Sequence, residues 1–342
     1  MRLLEYLEKR KTYVIAEIGQ AHDGSLGILH SIVDAVAATG VDAVKFQVHI
    51  ADAESSPQEP FRIHFSPVDR SRHEYWKRME LSFEQWSDLK SRCDDLGVEF
   101  LATPFSNSAV DMLEKLDVTR YKLGSGDIAN PLLIERLART GKEVILSTGL
   151  GSLEDIDAAV NTFRGRGNEF SVMQCTTRYP TQADDIGLAW IPKFRERYGC
   201  PVGLSDHSGT IFSGLGAVAI GASLLEFHVT FDQRMFGPDS LASLTIDQVS
   251  ELVAGTRFLE TALAIRGDKL SSAEDLELRR IFGKSIAVNR DLSSGHVITF
   301  EDLEGKKPSD AGIDVSRVEE VIGRKLSRDK RKWDFLSLED LS

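Results

Sequence analysis

Eight short runs of apolar and β-branched residues punctuate the chain, at positions 13–18, 43–47, 99–103, 120–123, 143–147, 171–175, 201–205 and 224–230. Between them apolar residues recur at three- and four-residue spacing, as in 29–39, 83–96, 109–115, 132–140 and 153–163, the period of a helix with one buried face. Strands joined through helices run parallel, and strands apolar along their whole length are covered on both faces. Eight such strands within roughly 250 residues predict an α/β chain folded as a (β/α)8 TIM barrel rather than an open doubly wound sheet. The stretch 246–264 reads as the helix that closes it.

The runs end in polar residues, and a barrel gathers strand ends at one rim, where such folds place their active sites. The ends are Glu17, then Lys45 and Gln47, Thr103, Lys122 with Ser125 beyond it, Ser147 and Thr148, and Thr176, Thr177 and Tyr179. A lone Ser or Thr in such a place is more often a helix cap; it is their convergence that points to a site. Gly203-Leu204-Ser205-Asp206-His207-Ser208 and Glu226-Phe227-His228-Val229-Thr230 each end in a histidine. On neighbouring strands His207 and His228 would lie close enough to share a divalent metal and leave positions open for water and substrate. The glycines around Ser125 and after Thr148 free backbone to face an anion, and Lys45 and Lys122 add positive charge, a combination suited to phosphate although no P-loop pattern is present. Residues 50–80 are long for a strand-to-helix loop and are expected either to cover the rim or to form a surface excursion.

A formal net charge of −12 argues against a nucleic-acid or anionic-membrane surface. The three cysteines Cys93, Cys175 and Cys200 form no CxxC pair, and no apolar stretch is long enough to span a bilayer. The expectation is a cytoplasmic protein with reduced thiols.

The predicted organisation is a catalytic barrel over 1–266, a charged linker over 267–280 and a small C-terminal domain over 281–342. In that last segment Asp291-Leu292-Ser293-Ser294-Gly295-His296 and Glu301-Asp302-Leu303 suggest short strands, a turn and a one-turn helix, followed by a second Arg-Asp pair at Arg328-Asp329. A module of about 60 residues is small for an independent core, so it is expected to lean on the barrel or on a partner subunit.

Taken in order, Ala16-Glu17-Ile18-Gly19, Val44-Lys45-Phe46-Gln47, Ala102-Thr103-Pro104-Phe105, Tyr121-Lys122-Leu123-Gly124-Ser125-Gly126, Leu146-Ser147-Thr148-Gly149, Gly203-Leu204-Ser205-Asp206-His207, Glu226-Phe227-His228 and Gly237-Pro238-Asp239 resemble the N-acetylneuraminate (sialic acid) synthase family, and the C-terminal segment is similar to its antifreeze-like (SAF, β-clip type) domain. The resemblance implies condensation of phosphoenolpyruvate with an N-acylated amino sugar, N-acetylmannosamine-like or a 2,4-diacetamido-6-deoxyhexose, to a nonulosonic acid and phosphate. It implies a divalent metal, Mn²⁺ with Mg²⁺ or Co²⁺ as alternatives, held by His207 and His228. It also implies catalytic roles for Glu17, Asp127 and Tyr179, a phosphoenolpyruvate cradle of Lys45, Gln47, Thr103, Lys122, Ser125 and Ser147, and sugar contacts from Thr177, Tyr179, Asp239 and Lys307. Its members imply a domain-swapped homodimer. The alternatives are a related synthase making another sugar acid, such as an eight-carbon one, and a non-catalytic carbohydrate- or phosphate-binding homologue. The chain has Asp127 where the family has Glu and Lys307-Pro308-Ser309 where it has Arg-Pro-Gly, departures that fall on the sugar side.

Overall fold

The computed structural model describes residues 7, 12–264 and 272–342. Two compact units divide at Ala264 and Ile265. In the first, strands β1 (Tyr13–Glu17), β2 (Ala43–Val48), β3 (Glu99–Pro104), β4 (Arg120–Leu123), β5 (Glu143–Ser147), β6 (Phe170–Cys175), β7 (Val202–Asp206) and β8 (Leu224–Thr230) pair in sequence order, all parallel, and β8 returns to β1. This is the closed (β/α)8 barrel that the eight runs predict. The short β9 (Leu244–Thr245) extends β8 at its outer end.

Each strand's period of two sorts its side chains between the barrel interior and the helical layer. In β1 and β2, Val14, Ala16, Val44, Phe46 and Val48 belong to the large core under the helices, whereas Tyr13, Ile15 and Ala43 belong to a separate interior layer with Leu101, Ile145, Met173 and Leu224. The next interior positions along the strands are Glu17, Lys45 and Gln47. An apolar plug therefore closes the barrel, and the polar residues stand on it. Gly203 lies where β7 and β8 come closest: a Cβ there would stand 2.6 Å from that of Leu224.

Helix boundaries follow local chemistry. Ser82, Ser152 and Thr245 open the helices Phe83–Leu96, Leu153–Arg166 and Ile246–Ala262 with reciprocal capping boxes. Gly97, at φ 72°, ends the first of these in the left-handed region that favours glycine.

The second unit contains the antiparallel pair β10 (Ser285–Val288) and β11 (Leu303–Lys306) around a core that includes Ile286, Val288, Leu292, Ile298, Ile313 and Leu336. The expected linker is corrected over its second part: Ala273–Phe282 is a helix capped by Ser272, with Glu274 and Asp275 in its first turn and Arg279 and Arg280 in its last. The charges read as linker composition are those of an exposed helix; positions 267–271 lie outside the described residues. The unit also holds an internal repeat. Arg290-Asp291 precedes Glu301-Asp302-Leu303 as Arg328-Asp329 precedes Glu339-Asp340-Leu341. Asp302 and Asp340 are both fully buried, close capping boxes on Thr299 and Ser337, and pair with Arg290 and Arg328.

Candidate active site

The strand ends build an inner pocket of about 150 Å³. Its centre is Glu226, on the β8 position beside Ser205 of β7. The Glu226 Oε1 accepts from Ser205 Oγ at 3.0 Å and from Lys122 Nζ at 3.2 Å, and lies 3.7 Å from Lys45 Nζ. Lys45 reaches on to Glu17 Oε2 at 2.8 Å and donates to Thr103 Oγ1 at 3.1 Å; Lys122 also donates to Ser147 Oγ. Every expected cradle residue, Lys45, Gln47, Thr103, Lys122, Ser125 and Ser147, lines this pocket with Glu17, His207 and His228.

The buried charges differentiate one another. At Glu226 burial is outweighed by Lys122 and Lys45, and its carboxyl is pressed down to about 2. Burial raises Glu17 above its ordinary value; Lys45 opposes this and the neighbouring Glu226 adds to it. Burial lowers Lys122, with Glu226 opposing, whereas at Lys45 burial is overcome by Glu17 and Glu226 and the pKa rises. Glu226 and Lys45 are thus biased toward their charged forms, and Glu17 and Lys122 toward their neutral ones.

Ser125 Oγ sits 3.3 Å from Cys175 Sγ and accepts the Gly149 N–H at 3.0 Å. The Gly149 amide, expected to face an anion, is thus spent on holding Ser125, a correction to the glycine-loop expectation.

His207 and His228 face each other with ring centroids 5.2 Å apart. The His207 Nδ1 donates to the Thr176 carbonyl at 2.9 Å, which leaves Nε2 as the nitrogen available to a cation. Burial, with Asp239 opposing, brings His228 down to about 3 and keeps it neutral, the form that binds a cation. At His207 burial pulls the same way, but Cys175 and the Thr176 carbonyl outweigh it and raise the pKa. Two strand-end imidazoles fit a divalent metal with open positions. Among the described residues no group of three or more His, Cys, Asp or Glu side chains forms a closed metal cage.

A larger outer chamber of about 470 Å³ shares Gln47, Thr177 and Tyr179 with the inner pocket. Tyr179 stands at the junction, its ring 4.1 Å from that of His207 and edge-on to His228 at 5.7 Å. Arg62 lies 4.1 Å above the Tyr179 ring and donates to Asp239 and, at 3.2 Å, to the Pro238 carbonyl. Thr177 keeps a buried hydroxyl without a hydrogen-bond partner among the described residues. Asp127, expected to be catalytic, lines this chamber rather than the inner pocket; burial raises its pKa, and it accepts from Asn130 Nδ2 at 2.9 Å. Lys307 belongs to the second unit, 4.8 Å above the Phe282 ring.

Residues 50–80 fold onto the rim through a cluster of Ala51, Tyr75, Trp76 and Met79, and contribute Glu54, Glu59, Arg62, Arg72 and Trp76 to the chamber wall. The sequence reading assigns no role to Glu226, Ser205, His49 or these wall residues. For Glu226 a signal exists, a charged residue inside an otherwise apolar strand next to His228.

The family described as the NeuB family matches residues 32–268. The N,N'-diacetyllegionaminic acid synthase of Legionella pneumophila is 33% identical over 92% of this chain and 90% of its own length. Human N-acetylneuraminate-9-phosphate synthase is 28% identical over 92% of this chain and 88% of its own. Among solved structures, the N-acetylneuraminic acid (sialic acid) synthetase of Leptospira borgpetersenii, in complex with citrate, superposes with a TM-score of 0.69 at 30% identity, over 78% of this chain and 90% of that one. With a barrel, a pocket and a whole-length likeness in agreement, the chain belongs to the NeuB family.

Proposed function

We infer that the protein is a nonulosonic acid synthase, a carbon–carbon bond-forming transferase that condenses phosphoenolpyruvate with an N-acylated amino sugar. The observation that carries this reading is the Lys45–Glu226–Lys122 array, buried in a hydroxyl-lined pocket that opens through Tyr179 onto a chamber large enough for a sugar. Two ammonium groups and the hydroxyls of Thr103, Ser125, Ser147 and Ser205 suit a small ligand bearing phosphate and carboxylate, while Glu226 prevents the two lysines from repelling each other.

In the reaction, C3 of phosphoenolpyruvate forms a bond to the aldehyde carbon of the open-chain sugar, whose oxygen takes a proton. Water adds to C2, and cleavage of the C–O bond releases phosphate and leaves a 2-keto acid three carbons longer than the sugar. Glu17, raised by burial and held by Lys45 and Gln47, is the group suited to take the proton of the water. Lys122, lowered by burial, is placed to return a proton to a departing oxygen. His207 and His228 would hold a divalent cation, Mn²⁺ in first place, which when bound supplies Lewis-acid polarisation of the aldehyde oxygen. Thr177, Tyr179 and Asp239 face the sugar.

The second unit as an antifreeze-like module, a domain-swapped homodimer in which Lys307 meets the sugar of the neighbouring subunit, and a cytoplasmic location belong to the same proposal. The free thiols of Cys93, Cys175 and Cys200 support that location, and no described helix is long and apolar enough to cross a membrane.

The test is incubation with Mn²⁺, phosphoenolpyruvate and a panel of N-acyl hexosamines and five-carbon aldoses, followed by phosphate release and product mass. Phosphate with a nine-carbon acid from a hexosamine supports the reading; release only with a five-carbon aldose, as an eight-carbon acid, favours a related synthase, and no release with any sugar overturns it.

A further inference from the structure

Gln47 is the hinge between the two pockets, and its amide must point one way for Glu17 to work. Its Nε2 donates to Glu17 Oε1 at 2.7 Å, and its Oε1 accepts from Gln20 Nε2 and lies 3.3 Å from His49 Nε2. Rotating the amide by half a turn would set its oxygen against the Glu17 carboxylate and its NH2 against the Gln20 NH2 that donates to it. The groups that face Oε1, Gln20 and His49, therefore hold the orientation that reaches Glu17.

His49 is fixed in place by its surroundings. The strand's period of two puts Lys45, Gln47 and His49 on one side of the chain, His49 one position past the end of β2. The ring is sandwiched between Trp76, 3.9 Å away at 19°, and Phe105, 4.7 Å away at 5°. Its Nδ1 stands 2.6 Å from Glu54 Oε1, on the single helical turn Ala51–Glu54 that follows β2. Both side chains are over nine-tenths buried, at 4% and 7% exposure. Gln47 Nε2 is committed to Glu17 Oε1, so Gln47 Oε1 is the atom that faces His49 Nε2, and Glu54 Oε1 stands opposite the other ring nitrogen. Among the described residues Glu54 Oε2 has no hydrogen-bond partner, so a buried carboxylate is held here for little besides His49.

We propose that Glu54 and His49 form a positioning dyad that acts through Gln47 to hold the Glu17 carboxylate. Neither residue reaches the inner pocket, and both lie on the outer chamber wall. Their effect on turnover is transmitted by one amide, which makes them positioning residues rather than catalytic ones. The proposal rests on the assignment of Glu17 as the group that handles the proton of the water, so its test needs a readout apart from activity.

The experiment compares wild type, Glu54→Gln, His49→Phe and the double variant. His49→Phe keeps the aromatic stack and removes both ring nitrogens. The expected result is a drop in kcat of about ten- to a hundredfold in each single variant, KM for phosphoenolpyruvate within about twofold of wild type, and a double variant no worse than the poorer single. Unchanged kcat, or losses that multiply in the double variant, would overturn the dyad. Crystal structures of the same variants decide the matter without turnover: Gln47 should leave Glu17 in Glu54→Gln and in His49→Phe. A Gln47–Glu17 bond kept in both variants contradicts the proposal even if no sugar is ever found, whereas a wild type without activity contradicts only the function assigned to the site.

Discussion

The Nζ of Lys122 lies 3.2 Å from Oε1 of Glu226, and neither side chain is more than 5% exposed. Removing one charge from such a pair leaves the other buried without compensation, a cost of about 3–5 kcal/mol. Glu226→Gln should lower the denaturation midpoint accordingly, more than a Ser205→Ala change that removes one neutral donor. Equal midpoints for Glu226→Gln and wild type would contradict this account.

The same carboxylate predicts a pH dependence. Its folded value of about 2 lies below its ordinary value of 4.5, because Lys122 and Lys45 outweigh the upward pull of burial. A carboxyl depressed by folding contributes stability that is fully present above its unfolded value and is lost as pH falls through the folded one. Denaturant unfolding of wild type followed from pH 6 to pH 2 should therefore show stability declining below about pH 4.5, and Glu226→Gln should flatten part of that decline. An identical slope in the variant would remove Glu226 from the explanation.

Gly149 sets the wall of the inner pocket. A Cβ at this position would meet Ser125 Oγ and Cys175 Sγ at 2.9 Å each, with Thr177 Oγ1 closer still. Gly149→Ala should displace Thr177 as well as Ser125 and raise KM for both phosphoenolpyruvate and the sugar at least about tenfold. A variant with wild-type KM values would show that Ser125 is not needed there.

In the second unit, Asp302 accepts from Thr299 N at 2.9 Å, His296 Nε2 at 2.7 Å and Arg290 Nε at 2.8 Å. Burial alone would raise its pKa, but His296 and the Thr299 N–H outweigh it and hold the carboxyl well below the ordinary range. Asp302→Asn should destabilise this unit by about 1–3 kcal/mol. Its mate in the repeat predicts a parallel loss for Asp340→Asn, and local hydrogen exchange in the variants reads both. Unchanged protection in either would contradict the equivalence of the two halves.

The barrel was legible because burial on both faces writes an unbroken apolar run, and because parallel strands require helices between them, as 83–96 and 153–163 display in their periodicity. Glu17, Lys45, Lys122, His207 and His228 were legible as polar residues closing those runs. Glu226 was not, because its meaning depends on register: the position beside Ser205, across the barrel from two lysines, is a closure property that no local spacing encodes. The wall built by Arg62, Arg72 and Trp76 was hidden for a related reason, since residues 50–80 carry little regular period and are placed by packing of Tyr75, Trp76 and Met79 against Ala51. The repeat around Asp302 and Asp340 is written twice in the sequence, as Arg-Asp and as Glu-Asp-Leu, but the shared capping and ion pairing of the two aspartates show only in the fold.

The central claim is that a carbon–carbon bond forms at the junction of the two pockets. Phosphoenolpyruvate labelled with carbon-13 at C3, supplied with an N-acyl hexosamine and Mn²⁺ and followed by NMR, tests it directly. The labelled vinyl carbon should become a saturated methylene of a longer acid as phosphate appears, and Lys122→Met should abolish both signals. Label accumulating in the methyl group of pyruvate, or phosphate appearing without the sugar, would contradict the account.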